Sequence, residues 1–118
     1  MALYESFYYR NDTGRCPVKE FIDSLDPRSQ RKFFYVLSLL EEFGPRLPLP
    51  HARYLCDGIF ELRFCGSEGN IRALYFFFRH NRIILTNGFI KKTPRAPQKE
   101  ITVALERRKA FLGEGDKI

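Results

Sequence analysis

Apolar spacing along this chain switches between a period near 3.6 and a period of two, and the switches mark its elements. Residues 3–9 alternate loosely and are rich in aromatics, the pattern of a first strand. Pro17 suits a first helical position, and Val18, Phe21, Ile22 and Leu25 then fall at i, i+3, i+4 and i+7, a short amphipathic helix. Asp26-Pro27 restarts a helix, Asp as N-cap and Pro at N1, with an apolar stripe of Phe33, Val36, Leu37, Leu40 and Phe43. Gly44-Pro45 ends it, and residues 45–53, with three prolines, read as a loop. Residues 59–65 alternate Phe60, Leu62 and Phe64 against Glu61, Arg63 and Cys65. Two β-branched and aromatic runs between residues 70 and 93 flank a polar turn at residues 79–82, a β-hairpin signal. A last helix is expected from Gln98 to Leu112, closed by Gly113. The expected order is β-α-α-β-β-β-α: an α+β fold in which two N-terminal helices and a C-terminal helix pack on an antiparallel meander.

Turn length sets the expected register. If residues 66–69 turn the chain, Cys65 faces Asn70 and Arg63 faces Arg72. If residues 79–82 form the next turn, Phe78 faces Ile83, Arg72 faces Phe89, and Lys91 lies one diagonal step from Arg72. Like charges directly opposed on a sheet are destabilising, so three cations converging at one end of it suggest an anion that compensates them. The bland reading pairs Arg63 with Glu61 or Glu68, and Arg72 with another carboxylate. Glu61, on the same face, is also a possible general base.

Composition narrows the class. At 118 residues the chain is expected to be one domain spanning residues 1–118, and 44% hydrophobic content argues for a folded globule. No apolar run approaches the ~18 residues of a membrane span, and no secretory signal opens the chain. Three irregularly spaced cysteines (Cys16, Cys56, Cys65) fit neither a zinc set nor a disulfide framework and suggest reduced thiols in a cytoplasm. The net charge is +6, and most of it is gathered late. Lys91, Lys92, Arg95, Lys99, Arg107, Arg108 and Lys109 stand against Glu100 and Glu106, so the segment from Gly88 to Leu112 carries +5. Beside the Lys91-Lys92 strand end, such a segment suits a polyanion as well as it suits a solvated helix face. Helical spacing sets Arg108 apart, near Ile101, Leu105 and Leu112. No Ser-His-Asp set, P-loop or metal cluster is visible, and His51 and His80 read as surface residues. What remains is a basic site, suited to holding a phosphodiester and stabilising charge on it.

Six stretches then carry a family resemblance: residues 20–26 (EFIDSLD), 39–47 (LLEEFGPRL), 57–64 (DGIFELRF), 71–77 (IRALYFF), 88–93 (GFIKKT) and 100–111 (EITVALERRKAF). In that order they resemble the RelE/ParE toxin superfamily, and more closely its HigB-like, often phage-borne branch. The resemblance implies a RelE-like fold and the toxin of a type II toxin–antitoxin pair, a metal-independent endoribonuclease that cleaves mRNA in the ribosomal A site with no cofactor. It assigns the catalytic cations to Arg63, Arg72, Lys91 and Lys92 and a base-stacking aromatic to Phe111, while the charge of the late segment makes Arg95, Lys99, Arg107 and Lys109 the expected RNA contacts. The implied partners are the ribosome with its mRNA and a helix-turn-helix antitoxin, through which alone the pair meets operator DNA. One departure stands out: many relatives place a tyrosine where this chain has Phe111, which can stack on a base but cannot transfer a proton. ParE-like members inhibit DNA gyrase instead, and a degenerate toxin would only bind its antitoxin, so a non-nucleolytic binder is the alternative.

Overall fold

In a computed structural model describing residues 2–95 and 97–113, the chain forms β1 (Glu5–Tyr8), α1 (Pro17–Asp23), α2 (Pro27–Phe43), β2 (Ala52–Cys56), β3 (Ile59–Gly66), β4 (Gly69–Phe78), β5 (Arg82–Lys91) and α3 (Gln98–Gly113). The mixed α+β architecture is compatible with a RelE-like fold. One sheet runs in the order β1-β5-β4-β3-β2, its last four strands antiparallel and β1 parallel to β5.

Both helix starts follow the chemistry of their sequences. Pro17 and Pro27 occupy first-turn positions, and the Asp26 side chain accepts a hydrogen bond from Ser29 N at 3.3 Å. Gly44 closes α2 at φ +56°, beneath the ring of Tyr4, so it answers both a positive φ and a close approach. Phe43 departs from the expected stripe and stays 39% exposed.

The sheet is buried on two faces by different helices. Val18, Ile22, Phe33, Val36 and Leu40 of α1 and α2 pack with Leu62, Phe64, Ile71, Tyr75, Ile83 and Leu85. On the other face Ile101, Ala104 and Phe111 of α3 pack with Ile59, Leu74, Phe76 and Ile84. Double-sided burial explains why β4 and β5 read as nearly continuous apolar runs.

β2 corrects the expectation of a loop through residue 53. The turn joining it to β3 is Asp57-Gly58, both at positive φ (50° and 82°), the two-residue turn that matches strand twist. The proline-rich approach masked a strand that this dipeptide signals.

The β3–β4 register holds as expected: Arg63 opposes Arg72 and Cys65 opposes Asn70. On β5, Phe78 faces Arg82 rather than Ile83, one residue off. A bulge between Leu74 and Tyr75 passes over Thr86 and restores the offset, so Arg72 still faces Phe89. The β3–β4 turn is tied to the start of α2: Ser67 Oγ donates to Asp26 Oδ2 at 2.7 Å, and Ser67 N to Ser29 Oγ at 3.1 Å.

Gly88 is a packing requirement, because a Cβ there would lie 2.5 Å from Phe21 Cδ2. Gly88→Ala should therefore cost about 1–3 kcal/mol by overpacking. That is a fall in Tm of roughly 4 °C per kcal/mol in a domain of 118 residues. Thermal unfolding by circular dichroism checks it, and an unchanged Tm would mean α1 shifts freely.

Candidate functional site

α3 covers only part of its face of the sheet. Past Leu74 and Asn87 toward the β3–β4 turn, the same face carries Arg63, Cys65, Asn70, Arg72, Phe89 and Lys91, by strand alternation from the observed register. Arg63 and Arg72 are directly opposed, and Glu61 on β3 answers both. Arg63 Nη1 donates to Glu61 Oε1 at 2.6 Å, and Arg72 Nε lies 3.6 Å from the same oxygen. The side chains of Glu61, Arg72 and Arg63 are 1%, 7% and 23% exposed. Arg72 Nη1 also donates to Ile71 O at 3.1 Å. Burial, and next the facing Arg63, hold the Arg72 guanidinium below its ordinary pKa, while Glu61 pushes the other way.

The bland pairing is thus partly realised, since Arg63 does pair with Glu61. One carboxylate shared by two arginines still leaves a formal surplus of +1. An exposure of only 1% also removes Glu61 from the candidates for general base, because nothing outside the protein reaches it.

Two cavities flank the arginines and share Arg72 and Asn70 in their walls. One of about 350 Å³ is lined also by Lys91, Lys92, Thr93 and Pro94. The other, about 250 Å³, lies between α2 and the approach to β2, where Lys32, Tyr35, His51, Arg63 and Cys65 join the wall. Lys91 and Lys92 therefore do accompany Arg72. His51, read as surface, is brought to the site because its carbonyl accepts from Arg63 N at 2.8 Å and extends the β2–β3 pairing. Arg53, exposed on β2 in register with Glu61, is a further cation that sequence reasoning passed over. The unread Asp57-Gly58 turn was the signal for it.

The other expected RNA contacts disperse. Arg95, Lys99 and Lys109 are exposed. Arg107 is spent within the fold: Nη1 donates to Thr86 O at 2.8 Å, and the guanidinium lies 5.8 Å from the ring of Tyr9. Arg108, set apart by its spacing, donates from Nη1 to Asp57 O. Phe111 is 8% exposed, its ring edge-to-face with Phe76 at 5.8 Å and Phe78 at 5.0 Å. Phe78 lies six residues along β4 from Arg72, roughly 20 Å at strand rise. Phe111 is a core residue at the far end of the sheet, not a free stacking platform beside the arginines.

Among the described residues, no group of three His, Cys, Asp or Glu side chains could hold a metal ion, and no helix is long and apolar enough to cross a membrane. What the site presents is guanidinium and ammonium groups around two cavities, donors whose geometry and charge match those of a phosphate.

Fold and site together define a small α+β protein with a cationic centre on an incompletely covered sheet. The chain belongs to the family described as Phage derived protein Gp49-like (DUF891), whose model matches residues 20–109, about three-quarters of its length. This is a RelE-like toxin family associated with toxin–antitoxin modules, which implies an antitoxin partner. No curated protein matches the chain.

The division of labour among the cations is testable. Arg107→Ala should lower unfolding free energy by about 1 kcal/mol, the scale of one hydrogen bond removed. It should leave the salt dependence of RNA binding unchanged. Replacing Lys99 and Lys109 together by Gln should reduce the salt slope by about 2, roughly one for each phosphate no longer neutralised, at unchanged stability. Urea denaturation and binding titrations at several salt concentrations read both, and an unchanged slope in the lysine pair would mark that surface as merely solvated.

Proposed function

We propose that this chain is the toxin of a type II toxin–antitoxin pair and acts as an mRNA endonuclease in the ribosomal A site. The observation that carries this reading is the opposed Arg63–Arg72 pair, left with surplus positive charge between cavities that Lys91 and Lys92 also line. In the reaction, the RNA's 2′-oxygen bonds to the adjacent phosphorus, the P–O5′ bond breaks, and a 2′,3′-cyclic phosphate and a 5′-hydroxyl result. The attacking oxygen loses its proton and the leaving oxygen gains one. Negative charge grows on the non-bridging oxygens during attack, and the Arg63 and Arg72 guanidiniums stabilise it. Lys91 or Lys92 carries the main proton-transfer role, and Arg53 and His51 border the path of the strand. Arg95, Lys99 and Lys109 offer charge to ribosomal RNA. An antitoxin covering this face would silence the site, which suits a helix-turn-helix partner that also represses the operon.

One observation favours a second reading, a non-nucleolytic binder directed at gyrase or at the antitoxin alone: the Arg72 side chain is only 7% exposed and shares its carboxylate with Arg63. The two readings separate on RNA chemistry. Inducing the toxin without antitoxin and mapping mRNA 5′ ends should reveal in-frame cleavage, whereas supercoiling changes with intact transcripts would establish the binder.

Arg72→Lys is the sharper variant, because it keeps a cation beside Glu61 while removing the fork. It should fold and yet lose on the order of 3 kcal/mol of transition-state stabilisation, more than a hundredfold in cleavage rate. Growth after induction should recover accordingly. Full toxicity from the folded lysine variant would remove Arg72 from the chemistry.

A further inference from the structure

Glu61 is among the most deeply buried side chains of this protein, yet it stands on the face that carries the site. In register with Leu74 on β4 and Arg53 on β2, it lies one alternation away from Arg63. Its Oε1 serves both arginines, while Oε2 and Arg72 Nε make no hydrogen bond to protein. A carboxylate kept for stability alone would usually have its lone pairs satisfied, because a half-satisfied buried ion is costly. Here one oxygen is shared and the other is unused.

We infer that Glu61 is a positioning residue that fixes the Arg63 and Arg72 guanidiniums against their mutual repulsion, so that both address a single phosphate group. This deepens the proposed nuclease reading and rests on it. Two arginines opposed across a ladder repel, and without a shared anion each would turn toward solvent. A guanidinium has five N–H donors in a rigid fork. Arg63 spends one on Glu61, and Arg72 spends one on Ile71 O. The donors that remain are held by side chains that Glu61 prevents from rotating apart. Preorganised donors cost no rearrangement when charge develops, so the benefit falls on the rate of the chemical step rather than on affinity.

That split is the test. Glu61→Gln has nearly the same shape but raises the formal charge of the trio from +1 to +2. Single-turnover cleavage on programmed ribosomes should show the maximal rate falling at least tenfold, with a half-saturating concentration no higher than wild type. A small misplacement of catalytic groups can cost on the order of 10²-fold. Glu61→Asp keeps the charge and withdraws the oxygens by one methylene, and it should lose rate in the same way. An unchanged maximal rate in either folded variant overturns the inference. So does a loss confined to half-saturation, which would make Glu61 an ordinary contributor to binding.

A readout without variants covers the case in which both fail to fold. In wild-type protein, the Arg63 and Arg72 side-chain N–H resonances should be resolved, slow to exchange with water, and shifted together at one inorganic phosphate concentration. Averaged or independently shifting signals overturn the inference. If wild-type protein cleaves no RNA, the nuclease reading falls by itself, and these resonances still decide whether Glu61 joins the two arginines into one anion site.

Discussion

Two like-charged side chains set face to face across a β-ladder are the constraint on which the rest of the site depends. Arg63 and Arg72 cannot both be held on the sheet in a partly buried setting unless an anion stands beside them. Glu61 is that anion, and its position follows from strand alternation, two residues before Arg63 on the same face. Its burial strengthens the attraction by excluding water, and one charge cannot cancel two. The result is a fixed pocket of positive potential, unlike the loosely screened charge of a solvated helix face.

The packing explains why this pocket is open. α3 supplies enough apolar surface to cover Ile59, Leu74, Phe76 and Ile84 and ends its coverage there. Its path is pinned by polar ties: the Asn87 side chain donates to Glu100 Oε1 at 2.9 Å, Arg107 reaches Thr86 O, and Arg108 reaches the turn before β3. Cations that look alike in the sequence therefore do different work. Some brace the last helix, and others line the cavities it leaves uncovered. On the opposite face α1 and α2 complete the larger core, and the Ser67 ties to Asp26 and Ser29 hold the β3–β4 hairpin that carries both arginines.

Local chemistry made much of this legible. Proline after a capping aspartate placed α2, Gly-rich residues placed the β3–β4 turn, and that turn alone determined that Arg63 meets Arg72. The same reasoning placed Arg72 opposite Phe89, although the path there was wrong by one residue until the bulge at Thr86 corrected it. β2 was lost because prolines dominate its approach, while the Asp57-Gly58 turn that announces it went unread. With β2 went Arg53 and the placement of His51 beside the arginines.

The sequence by itself determined every element but β2, the β3–β4–β5 meander and the cationic character of one strand end, because these rest on interactions between residues close in the chain. It also carried the likeness to the RelE-like toxins that the family match supports. Only the tertiary structure decided which cations are free and which are structural. Arg107 and Lys109 lie two residues apart on one helix, yet one is tied to β5 and the other is exposed, because the face a helix buries depends on the sheet it meets. Phe111 was directed to the core in the same way, since Phe76 and Phe78 offer it an apolar surface that solvent does not. The sharing of Glu61 between two arginines is likewise a matter of three dimensions: spacing brings the three groups to one face, and only packing removes the water that would let each be satisfied separately.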